Sequence, residues 1–102
     1  MSEEPDPRAP EPEAELPLPP PTFTFLVASL RTQAEVHLGL LSLGEENEQP
    51  NLRLARHAID MLAMLSEKTR SQLTLEEQRF LENSLTELRF RYVQVSAETG
   101  KA

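Results

Sequence analysis

The stretch Asn51–Val95, NLRLARHAIDMLAMLSEKTRSQLTLEEQRFLENSLTELRFRYVQV, reads as two consecutive helices joined by a short polar turn. Asn51 suits an N-cap, because its side-chain oxygen can accept one of the orphan N–H groups of the first turn. At about 100° per residue, Leu54, Ala55, Ala58, Ile59, Met61, Leu62, Ala63 and Leu65 spread over an arc of about 200°, twice what packing on one side requires. Arg53, Arg56, His57, Asp60, Glu67 and Lys68 take the rest, with Met64 apolar among them. This helix, expected to end near Thr69, therefore needs cover from two sides. Thr74-Leu75-Glu76-Glu77 then fits a capping box, in which the Thr74 hydroxyl serves the Glu77 N–H and the Glu77 carboxylate reaches back. Leu81, Leu85, Leu88, Tyr92 and Val95 follow in a seam of about 80°, the pattern of helices lying side by side. Phe80, Phe90 and Val93 lie off that seam. The short Arg70–Leu73 connection makes the pair an antiparallel hairpin.

Upstream, the spacing predicts a first helix that is capped by Thr22 or Thr24 and runs to about Leu41. Phe23, Leu26, Val27, Leu30, Ala34, Leu38 and Leu41 form its apolar stripe, and Arg31 and Glu35 pair at i,i+4 on its wet side. Gly44 and the polar run up to Pro50 make the loop to the second helix. No strand alternation and no internal repeat is visible.

The 102 residues allow one domain. Eight of the nine prolines lie between Pro5 and Pro21, and the same segment holds six acids (Glu3, Glu4, Asp6, Glu11, Glu13, Glu15) against the single base Arg8. The net charge of −7 thus belongs mostly to this arm, and the rest of the chain is close to neutral. With only Leu16 and Leu18 as sizeable apolar groups, residues 1–21 are expected to be a disordered, acidic, proline-rich arm. Residues 22–96 should form the helical domain and 97–102 a disordered C-terminal tail. Cysteine is absent, so disulfides, thiolate ligands and a cysteine nucleophile are excluded. The acidic start is unlike a secretory signal, and Arg31, Glu35 and His37 interrupt the best apolar run. A cytoplasmic location with no membrane contact is the expectation.

Four segments occur in order: Leu30-Arg31-Thr32-Gln33-Ala34-Glu35-Val36-His37-Leu38-Gly39, Leu54-Ala55-Arg56-His57-Ala58-Ile59-Asp60-Met61-Leu62, Leu65-Ser66-Glu67-Lys68-Thr69 and Leu88-Arg89-Phe90-Arg91-Tyr92-Val93. Together they resemble the bacterial family known as domain of unknown function 1844, over about Phe23 to Gln94. Glu35 stands where the family pattern is usually apolar, and Phe90 where methionine is usual. The resemblance implies a short helical bacterial protein and brings no activity, cofactor or catalytic residue with it.

Four groups of residues could carry chemistry. His37 falls inside the apolar stripe with Gln33 one turn earlier, a buried polar pair that could serve as a general base or line a pocket between helices. A core histidine satisfied by Gln33 or a carbonyl is the simpler reading. Zinc needs about four ligands, and the one other histidine, His57, lies on the polar side of its helix, so no metal site is expected. Asp60 with Arg56 at i,i+4 reads as surface decoration rather than acid–base machinery. Arg89, Arg91 and Tyr92 could grip nucleic acid. However, the two arginines point to opposite flanks and Glu87 is spaced to pair with Arg91, so no nucleic acid is expected. Last come the apolar groups outside the stripes, Met64, Leu75, Phe90 and Val93 above all, with Phe25 and Leu43. They coincide with the wide arc of the second helix in a domain near the lower size limit for self-sufficiency.

The expectation is therefore all-α, helix one packed on an antiparallel helix two–helix three hairpin. The expected role is non-enzymatic: a self-association or protein–protein interaction module, homo-oligomeric or bound to a protein partner. No cofactor, metal or small-molecule substrate is identified. The competing expectation is a small regulatory or ligand-binding domain using Gln33 and His37.

Overall fold

The computed structural model describes residues 16–42, 44 and 49–100, so most of the N-terminal arm, Leu43 and the end of the C-terminal tail lie outside the described residues. Among the described residues there are three helices and no strand: α1 (Phe23–His37), α2 (Leu52–Lys68) and α3 (Leu75–Gly100). Residues 16–22 lead into α1 without regular structure, and Leu16 and Leu18 are exposed.

All three starts follow from side-chain caps. The Thr22 hydroxyl accepts from the Phe25 N–H at 3.0 Å, and the Asn51 side-chain Oδ1 accepts from the Leu54 N–H at 3.1 Å. At α3 the capping box closes in both directions, Glu77 N–H to Thr74 Oγ1 at 3.1 Å and Thr74 N–H to Glu77 Oε1 at 2.9 Å.

Two ends differ from expectation. α1 stops at His37 rather than near Leu41, because Gly39 takes the left-handed conformation at φ 82°. The Gly39 N–H then donates to the Val36 carbonyl at 3.0 Å and the Leu40 N–H to the Glu35 carbonyl at 2.9 Å. That is the Schellman closure, which satisfies carbonyls left over at a helix end. The Asn51 N–H donates to the His37 carbonyl at 2.7 Å, which fastens the start of α2 to the end of α1. In the other direction, α3 continues through Gly100, so residues 97–100 are helical rather than a disordered tail. The segment Ser96–Thr99 contains neither proline nor glycine to stop it, and Val95 is buried immediately before it.

α1 lies against both α2 and α3, and α2 and α3 pack on each other, giving the expected three-helix unit. Its core joins Val27, Ala34 and Leu38 to Ala55, Ala58, Ile59 and Leu62 of α2 and to Leu81, Leu85, Leu88 and Val95 of α3. Phe23, Leu30, Leu52, Phe80 and Tyr92 pack around it, half-buried. Leu26 and Leu41, expected in the α1 stripe, are exposed. Leu41 lies past the helix end, and the buried side of α1 is rotated away from Leu26 because α1 must also face α3.

That second contact is polar. Arg31 pairs with Glu35 at 3.2 Å as its spacing predicts, and it also reaches α3, where it donates to Ser84 Oγ at 3.1 Å and to Glu87 Oε1 at 2.6 Å. The expected Glu87–Arg91 pair is not formed. Glu87 is taken by Arg31, a partner 56 residues away, and Arg91 instead donates to Gln94 Oε1 at 3.4 Å.

Candidate interaction surfaces

The polar candidates come apart in the structure. Gln33 is exposed and His37 is half-buried, so the expected buried pair is not built. The rotation that exposes Leu26 carries Gln33 outward with it. Neither residue lines the clefts along the α2–α3 hairpin or the shallow one on α1 beside Phe25 and Thr32. Arg56 and Asp60 form their i,i+4 ion pair at 3.7 Å in solvent. Among the described residues no group of three or more His, Asp or Glu is placed to hold a metal ion. Arg89 and Arg91 are exposed, and only Arg89 faces a cleft.

A shallow furrow runs along the α2–α3 hairpin. One cleft of about 400 Å3 lies between Ala63, Glu67, Glu82 and Arg89. A second, of about 310 Å3, lies between Arg56, Ile59, Asp60, Arg89 and Tyr92. A third, of about 300 Å3, continues past Ser66 and Glu82 to Ser71 at the turn. Both charge signs alternate along it and no acid pair converges, so it offers neither a nucleophile with its base nor an anion cradle.

The apolar candidates stand out in solvent. Leu75, Phe90 and Val93 are 61–64% exposed on α3. They do not make one patch, since Leu75 lies roughly 27 Å along the helix axis from Val93 at 1.5 Å per residue, with Arg79 between. Met64 is 41% exposed on α2 and has company: Leu54 is 42% and Met61 37% exposed. The core side of α2 is carried by Ala55, Ala58, Ile59 and Leu62. Leu54, His57, Met61, Met64 and Lys68 fall together in an arc of roughly 80° beside it, spaced three and four residues apart like the seam of a coiled coil. Leu65 lies half-buried between this strip and the core side. On α1, Arg31 marks the side toward α3, and exposed Leu26 lies about 140° around the helix from it.

This placement explains the width of the apolar arc. α1 and α3 cover part of it, as two-sided cover requires, and Leu54 and Met61 stay 42% and 37% exposed. Sequence reasoning assigned Leu54 and Met61 to the covered arc and treated Met64 as an isolated exception. The signal that joins them was the three–four spacing through His57 and Lys68, masked by those two polar residues.

The family model "Domain of unknown function (DUF1844)" matches residues 20–94. The chain belongs to the DUF1844 family. The DUF1844 match covers the whole of α1 and α2 and α3 as far as Gln94, so the Arg31 link, the Schellman turn and the α2 strip all lie inside it. No curated protein and no solved structure matches the chain. Among the described residues no helix is long and apolar enough to cross a membrane.

Proposed function

We propose that this DUF1844 chain is a non-enzymatic interaction module that binds protein through helix faces its own fold leaves uncovered. One observation carries the reading: Leu54, Met61 and Met64, 37–42% exposed, align as a strip on α2 beside its buried side. Isolated exposed apolar side chains are ordinary in a monomer, whereas apolar groups aligned on one helix face mark a contact surface. The furrow on the hairpin does not compete, because its alternating charges converge on no reacting atom. A pocket around Gln33 and His37 has lost its buried pair. The small, cysteine-free core fits a module whose stability is supplemented by association.

Photocrosslinking in the producing cell tests the reading. A photoreactive residue placed at position 64 or 90, both exposed, should yield an adduct with another polypeptide, while the same residue at exposed Gln78 should not. Absence of adducts at both 64 and 90, with the chain folded and abundant, would remove the interaction reading.

A further inference from the structure

Resting on that reading, we infer that the occupant of the α2 strip is a second copy of this chain, paired antiparallel through α2 about a two-fold axis. The argument begins with where α2 is already covered. Its buried residues Ala55, Ala58, Ile59 and Leu62 join the core shared with α1 and α3, and Ile59 and half-buried Ala63 line clefts with residues of α3. The remaining apolar strip is centred about 130° around the helix from the centre of that buried side, which leaves room for another helix to dock beside the core. Residues 54, 57, 61 and 64 repeat as a and d positions, and in an antiparallel pair each a layer meets a d layer of the partner helix. Leu54 then stacks on the second copy's Met64, and His57 on its Met61, with both contacts repeated across the axis. All four layers are thus filled by one register, as isologous pairing demands. The two methionines suit such an interface, since thioether side chains adapt to an imperfect surface.

The charges beside the strip favour the same register. Arg53 and Glu67 lie on its outer edge, and antiparallel pairing sets each Arg53 against the Glu67 of the second copy, twice per pair. Near the axis the two Asp60 side chains approach each other, and each already has its own Arg56 at 3.7 Å. A parallel pair would instead set Arg53 beside Ala58 of the second copy and form no such ion pair. The strip thus carries its own complement, which a strip meant for an unrelated partner has no need to do.

The chain contains no cysteine, so engineered cross-links report the register directly. Full-length Leu54→Cys and Met64→Cys proteins, mixed and oxidised, should form the 54–64 disulfide. Leu54→Cys alone should not, because its two copies lie about ten residues apart along the pair, beyond the 4.4–6.8 Å Cα separation a disulfide spans. Sedimentation velocity from 1 to about 100 µM should show twice the chain mass for the native protein, as expected for a closed two-fold pair. Met61→Glu should halve it while retaining helical circular dichroism, and Phe90→Glu should leave it unchanged. A native monomer throughout that range would overturn the inference, as would preferred 54–54 cross-linking or dissociation by Phe90→Glu but not by Met61→Glu. A photocrosslink at position 64 to a different protein, alongside a native monomer, would overturn self-pairing and leave the interaction reading standing.

Discussion

Arg31 sits where two requirements conflict, since α1 must present an apolar face to α2 and yet reach α3. Burial alone lowers the pKa of its guanidinium, but the hydrogen bond to Glu35 and the charge of Glu87 outweigh it, so the net direction is upward. A raised pKa means that the linked stability is fully present at neutral pH and is lost only in strong alkali. Ser84 has no exposed surface, and its hydroxyl accepts from Arg31. Arg31→Ala would leave that buried oxygen without its donor, and the expected cost is about 1–2 kcal/mol. Arg56→Ala removes an exposed pair and should cost no more than about 0.5 kcal/mol. Urea midpoints of the two variants check this, and equal shifts would show that the α1–α3 link is decoration. The Arg31–Glu35 pair was legible from its spacing alone. The contacts to Ser84 and Glu87 were not, because i,i+4 rules see one helix at a time and the nearer candidate Arg91 was available for Glu87.

Helix starts were more legible than helix ends. Thr22, Asn51 and Thr74 are local signals, each a side chain that serves an N–H three residues on, and all three caps form as their types suggest. Gly39 is different: inside an apolar repeat that continues to Leu41, it passes for a helical residue. What decides is its left-handed backbone and the approach of Pro50, whose Cγ would lie 3.3 Å from an added Cβ. Gly39→Ala therefore meets strain and crowding together and should lose about 1–2 kcal/mol. Gly44→Ala also has a positive φ but nothing within 4 Å, so its penalty should be the smaller of the two. Thermal melts of both variants measure the difference, and an equal loss would show that Pro50 plays no part. For α3, Thr74→Ala should cost about 0.5–2 kcal/mol. Its effect should not add to that of Glu77→Ala, because the two side chains cap each other. Additive losses in a double-mutant cycle would contradict the reciprocal box. The end of α3 went unread for the opposite reason, since no residue before Gly100 instructs the helix to stop.

At the scale of the whole molecule, the core is short of material. Five of its eleven buried apolar positions are alanine or valine, while larger leucines and methionines remain exposed. The wide arc of α2 announced this imbalance in the sequence, since angle and polarity need no tertiary knowledge. Which part of the arc would stay bare was not legible, because that depends on how α1 rotates to satisfy Arg31. Met61 and Leu62 now separate two kinds of stability. Leu62 is fully buried, and Leu62→Ala should cost about 2–5 kcal/mol at any protein concentration. Met61 contributes through the second copy, so its contribution obeys mass action and the melting temperature of the native chain should climb with concentration. For a two-fold pair of roughly 80-residue folded units, the unfolding entropy per residue sets that climb at about 4 °C per tenfold increase. Met61→Glu should flatten the dependence to zero and melt below the native chain wherever the native chain is paired, by a margin that widens with concentration. A native chain whose melting temperature ignores concentration between 1 and about 100 µM would mean that the greasy strip contributes nothing through a second copy.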